Sequence, residues 1–100
     1  MKIDIRYINA VQNEGLEHLI NDKLHKLIQK FNWITNAIVF LKDEKHPEDK
    51  RYKCEIRLSV PGPQIFAESQ EVNYKAAINK TVDDLKILLN KHKDNMYHKR

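Results

Sequence analysis

Arg51-Tyr52-Lys53-Cys54-Glu55-Ile56-Arg57-Leu58-Ser59-Val60-Pro61-Gly62-Pro63 is the stretch on which the fold turns. Tyr52, Cys54, Ile56, Leu58 and Val60 alternate with Arg51, Lys53, Glu55, Arg57 and Ser59. A period of two places the first set on one face of a strand and the second set on the other. Pro61-Gly62-Pro63 cannot continue a strand and turns the chain, which predicts a hairpin into residues 64–70. In that second strand Ile65 and Ala67 take the inner face and Phe66 the outer. One sheet face is therefore apolar and needs a cover.

The rest of the chain supplies it. Ile3, Ile5 and Tyr7 alternate with polar residues, a first half-buried strand. Leu16, Leu19, Ile20, Leu24, Leu27, Ile28 and Phe31 then recur at three- and four-residue steps, the stripe of an amphipathic helix, with Asn13 placed to cap it. Residues 35–42 form a strand with Ala37, Val39 and Leu41 on one face, and residues 43–50, charged and containing Pro47, form a loop. Asn73 caps a second helix to about residue 95, whose stripe is Tyr74, Ala77, Ile78, Val82, Leu85, Leu88, Leu89 and His92. The order β-α-β-β-β-α predicts an α+β fold: a four-stranded mixed sheet with two helices packed on one face. The strands flanking the first helix should be parallel through a right-handed crossover and the others antiparallel. Residues 1–95 read as one domain and residues 96–100 as a polar basic tail.

Composition removes most chemistries. Of 100 residues only Gly15 and Gly62 are glycine, too few for a dinucleotide fingerprint and wrongly spaced for a phosphate loop. A single cysteine, Cys54, permits no internal disulfide and no multi-cysteine zinc site, and it falls on the apolar strand face, where a thiol is inert. His18, His25, His46, His92 and His98 show no metal-ligand spacing, and His92 belongs to the helix stripe. His18 and Asp22, one helical turn apart, could pair but have no nucleophile beside them, and the adjacent Asp83 and Asp84 point about 100° apart. No catalytic residue, metal or cofactor is expected, and no substrate pocket. The longest apolar run, Ala37 to Leu41, is far short of the ~20 residues that span a bilayer, and residues 1–4 carry no apolar leader. A cytoplasmic, non-membrane protein is expected.

The formal charge of +4 is unevenly placed. Residues 1–72 hold 11 Lys/Arg and 11 Asp/Glu, whereas residues 73–100 hold seven (Lys75, Lys80, Lys86, Lys91, Lys93, Lys99, Arg100) against Asp83, Asp84 and Asp94. In the first helix Glu14 and Glu17 lead, and Lys23, Lys26 and Lys30 follow. Such ends match the helix dipole and form a solvated face. With the helices side by side they also form one positive surface able to neutralise phosphates and release counterions. The layout is similar to the double-stranded RNA-binding module, which reads shape through phosphates and 2′-hydroxyls. Phe66 on the open face either stacks on a base or packs against a neighbour such as Phe40.

Val39-Phe40-Leu41-Lys42, residues 55–62, Ile65-Phe66-Ala67, Ala76-Ala77-Ile78-Asn79, Asn90-Lys91-His92-Lys93-Asp94, and Lys23, Lys26 and Leu27 in the first helix follow one another over nearly the whole chain. In order and spacing they resemble the short ribosome hibernation-promoting factors, also called ribosomal subunit interface proteins. The resemblance implies the fold just derived and a non-enzymatic translation inhibitor. It implies binding to the small ribosomal subunit and its ribosomal RNA, occlusion of the messenger and transfer RNA channel, and preservation of idle ribosomes under stress or in stationary phase. By position, Lys23, Lys26, Lys42, Lys91 and Lys93 match basic positions of the family, with His92 between the last two. Lys86 and Lys80 are basic and nearby without an assigned match, and Lys86 joins the candidate RNA-binding set. Asp84 and Ile87 stand where members often carry Lys or Arg. Long members add a dimerising domain, which this sequence lacks, so pairing of ribosomes is expected to need an additional factor or another mechanism. Alternative readings are a general structured-RNA-binding module, a protein–protein regulator of transcription, as the family was earlier read, and a small enzyme.

Overall fold

The computed structural model describes residues 2–45, 51–62 and 64–97. In chain order the elements are β1 (Lys2–Ile8), α1 (Glu14–Lys30), β2 (Asn36–Asp43), β3 (Tyr52–Ser59), β4 (Ile65–Glu71) and α2 (Tyr74–Tyr97). The sheet runs β1-β2-β3-β4, with β1 parallel to β2 and the other pairs antiparallel. This is the predicted β-α-β-β-β-α architecture. Pro63, residues 46–50 of the charged loop and residues 98–100 of the expected tail lie outside the described residues. The last two residues of α2, Met96 and Tyr97, fall in the segment expected as tail.

Each element starts where its sequence signals it. Asn13 Oδ1 accepts the Leu16 N–H at 3.1 Å, and Asn73 Oδ1 accepts the Ala76 N–H at 2.7 Å. Both caps satisfy a helical donor that would otherwise have no partner. At Gly62, φ is +99°, a conformation that disfavours a side chain, and this is what lets the β3–β4 connection turn tightly.

The core is the inner sheet face and the two helix stripes. Val39, Leu41, Cys54, Ile56 and Leu58 on the strands meet Ile20, Leu24, Ala77, Ile78, Leu85 and Leu89 on the helices, all essentially inaccessible. One residue outside the expected α2 stripe is also buried. Thr81 sits in the interior of α2 facing the sheet, where its hydroxyl lies 2.8 Å from the Ala77 carbonyl and 3.2 Å from the Cys54 carbonyl. Those acceptors compensate the cost of burying it. Conversely Leu88, expected in the α2 stripe, is 37% exposed. It lies about 60° round the helix from Leu85, toward the free edge of β4, where no fifth strand covers it.

Cys54 is fully buried, and burial pushes its thiol up to about 12, so it is an inert core residue as read from its strand position. Glu55, expected on the solvated face, is only 4% exposed. Arg57 Nε donates to it at 2.7 Å and Lys42 Nζ at 3.2 Å. Burial opposes the charged carboxylate, but these two cations outweigh it and hold Glu55 below the ordinary glutamate range. The pairing therefore stabilises the fold above that range, and the stability is lost as pH falls through the lowered value. Denaturant midpoints measured from pH ~7 to ~3 should decline less steeply in Glu55→Gln than in the parent.

Candidate nucleic-acid interface

Strand and helix directions determine where the basic residues meet. Tyr52 stacks edge-on against Tyr74 at 4.9 Å, Thr81 reaches Cys54, and His92 reaches Pro61. Hence α2 runs alongside β3 in the same direction. At the start of α1, the Tyr7 hydroxyl donates to Glu17 Oε2 at 2.8 Å, which anchors that end beside the end of β1. Both helices therefore run the same way, and they pack side by side. Their C-terminal, negative dipole ends converge at the end of the sheet where β2 begins and β3 turns into β4.

Three rings tie that end together. Phe31, the C-cap of α1, meets Trp33 edge-on at 5.7 Å, and Trp33 packs on His92 at 5.3 Å. The Nε2 of His92 is 3.0 Å from the Pro61 carbonyl, an acceptor only, so this ring nitrogen carries the proton and donates. His92 thus ties α2 to the β3–β4 turn through a ring that spans helix and turn.

Helical geometry divides the predicted lysines among three surfaces. At about 100° per residue, Lys23, Lys26 and Lys30 fall within about 60° of one another, on the flank of α1 turned away from Tyr7 and toward α2. Lys86 and Lys93 fall about 20° apart on the flank of α2 turned toward α1. These five line the seam between the helices. Lys91 lies on the opposite flank of α2, in a groove against β4. Lys42 is on the open sheet face, paired with Glu55 and 5.6 Å from the Phe40 ring centre. The seven predicted residues therefore do not form one surface. The strand alternation already places Lys42 apart from the helices; the split of Lys91 from Lys93 needs the position of β4.

Among the described residues, the ion pairs of α2 are Lys80–Asp84 at 3.5 Å and Lys86–Asp83 at 4.0 Å. Lys23, Lys26, Lys91 and Lys93 have no carboxylate at ion-pair distance among those residues. Asp84 thus spends its charge on Lys80, one turn earlier. Ile87 is 61% exposed. On the open face Phe66 is 53% exposed and stands opposite Arg57, whereas Phe40 lies two strands away. The expected packing of Phe66 on Phe40 is not formed, because β3 separates them. Instead Arg6, Lys42 and Arg57 surround the Phe40 ring at 5.2–5.8 Å. The described residues contain no cluster of potential metal ligands, and no helix among them is long and apolar enough to cross a membrane.

Residues 3–97 match the family model described as sigma 54 modulation protein / S30EA ribosomal protein. The chain belongs to this S30AE, or ribosome hibernation promoting factor, family. It is 32% identical over 96 residues to the ribosome hibernation promoting factor of Escherichia coli K12, covering 96% of this chain and 97% of that one. It is 30% identical over 94 residues to the factor of the same name from Pseudomonas putida, covering 94% and 88%. Among solved structures, a ribosomal subunit interface protein from Coxiella burnetii superposes with a TM-score of 0.83 at 19% identity, covering 94% of this chain. The N-terminal domain of Thermus thermophilus Protein Y does so at 0.78 and 22% identity, covering 92%. At those identities the S30AE likeness to solved structures establishes the fold. The family is one of ribosome-binding hibernation factors rather than enzymes.

Proposed function

We propose that this S30AE chain binds the small ribosomal subunit through its RNA and inhibits translation by occupying the channel of messenger and transfer RNA. The observation that carries this reading is the seam: two parallel helices whose basic halves converge, with Lys23, Lys26, Lys30, Lys86 and Lys93 on facing flanks. The Lys–phosphate contacts such a surface makes are strong at low salt and weaken steeply as counterions compete. The rest of the molecule suits a steric role. It is elongated, 49 × 24 × 17 Å, with a core continuous from both helices through the sheet, so it acts as a stiff wedge rather than a closing clamp. The domain over residues 1–95 carries the binding, and such activity places the protein in the cytoplasm with the ribosome.

Lys42 is omitted from the seam in this proposal, since its strand carries it to the open sheet face, where it pairs with Glu55. Co-sedimentation with isolated small subunits across a salt series tests the reading. Binding at low salt that falls linearly on a log–log plot is expected. Absence of binding at every salt concentration rules it out. Binding to bare duplex RNA as tight as to subunits would replace it with a general structured-RNA role.

A further inference from the structure

The second face of α2 has a chemistry distinct from the seam. Between α2 and the free edge of β4 lies an open groove of about 300 Å³. Its apolar wall is Ile65 and Phe66 from β4 and Leu88 from α2. Phe66 and Leu88 are 53% and 37% exposed, unusual for residues this large next to a core. Its polar groups are the side-chain amides of Gln64 and Asn95, with Lys91 and His92. No carboxylate lines it. Two other hollows of the described surface do contain acids, one Glu14 and Glu17, the other Asp4.

We propose that this groove receives a single unpaired nucleobase of the bound RNA; the inference rests on the RNA-binding reading above and names what part of the RNA the β4 side of α2 contacts. Each part of the groove matches a part of a nucleotide. Apolar and aromatic side chains accept the face of any base, as in single-strand readers. Amides offer donor and acceptor together, which is what a base edge presents. Lys91 supplies a cation for the adjoining phosphate without a competing acid in the lining. The groove would also accept an apolar peptide side chain, but lysines on both flanks of α2 favour a polyanion. The seam then holds paired backbone by charge, while the groove selects an unpaired position beside it.

Trp33 is the only tryptophan and packs on His92, which lines the groove, so the molecule contains its own reporter. The experiment compares an RNA duplex of about 16 base pairs, long enough for a double-stranded RNA-binding surface, with the same duplex carrying one unpaired adenosine. Anisotropy of labelled RNA gives affinity, and Trp33 emission reports the groove. The bulged RNA should bind about tenfold tighter and alone change Trp33 emission. Phe66→Ala and Leu88→Ala, both at exposed positions, should each reduce the preference toward parity with the salt slope unchanged. Lys86→Ala/Lys93→Ala should weaken both RNAs alike. Equal affinity for the two RNAs, or a preference that survives both groove substitutions, overturns the groove while leaving the seam intact. If subunits bind but neither duplex does, unchanged subunit affinity in Phe66→Ala and Leu88→Ala overturns it equally. Failure to bind RNA or subunits at any salt overturns both readings together.

Discussion

Replacing Lys23, Lys26, Lys86 and Lys93 together by Ala should lower affinity for small ribosomal subunits by roughly a thousandfold at ~0.1 M salt. Each phosphate contact contributes about 0.7–0.9 to the slope of log affinity against log salt, so four lost contacts remove about three units of slope. Extrapolated to ~1 M salt, parent and variant should then nearly converge. All four side chains lie at the helix surface, two of them on each helix, and the substitution puts a good helix former at each site. The variant should therefore fold, and circular dichroism with thermal melting is the control. A slope within one unit of the parent's would show that the seam is a solvated face and that the subunit is held elsewhere. The same substitutions leave Lys91 and the β4 groove untouched, so the effect belongs to the seam alone.

Phe31→Ala should be the most damaging single substitution for stability. Phe31 is fully buried at the C-terminal cap of α1, against Trp33 and in the shared core. Large-to-small changes of buried phenylalanine cost about 3–5 kcal/mol, a large part of the roughly 5–15 kcal/mol that holds a domain of this size together. Thermal unfolding followed by far-ultraviolet circular dichroism should show a midpoint about 15–25 °C lower. The position matters for function as well. Phe31, Trp33 and His92 form the ring stack that fastens the basic ends of both helices to the β3–β4 turn. A loss below ~5 °C would mean that the helix ends are held by other contacts, since a cavity of that size would then have closed at little cost.

Much of the fold is legible in the amino-acid pattern because burial imposes a period. The strict alternation from Tyr52 to Leu58, the three- and four-residue spacing from Leu16 to Phe31, and the caps Asn13 and Asn73 each constrain local geometry directly. The parallel β1–β2 pair follows from a helix of 17 residues between two strands. Thr81 and Glu55 were not legible. A hydroxyl or a carboxylate gives no apolar signal, and each is buried only because a neighbour in another element satisfies it: the carbonyl of Cys54 for Thr81, and Lys42 with Arg57 for Glu55.

The candidate site divides along the same line. That all the net charge resides in residues 73–100, that Gly and Cys are too few for nucleotide loops or disulfides, and that Lys23, Lys26 and Lys30 follow Glu14 and Glu17 along the first helix are properties of the chain itself. Which lysines share a surface is a property of packing. A helix shows cations around its circumference, and only the neighbours of each flank give them separate roles. With α1 on one side and the free edge of β4 on the other, Lys86 and Lys93 join Lys23 and Lys26, Lys91 joins Phe66 and Leu88, and Lys42 is carried by its strand to the far face of the sheet. Charge and periodicity are local and can be read in order along the chain; adjacency across a sheet edge is set by strand order, which only the folded structure specifies.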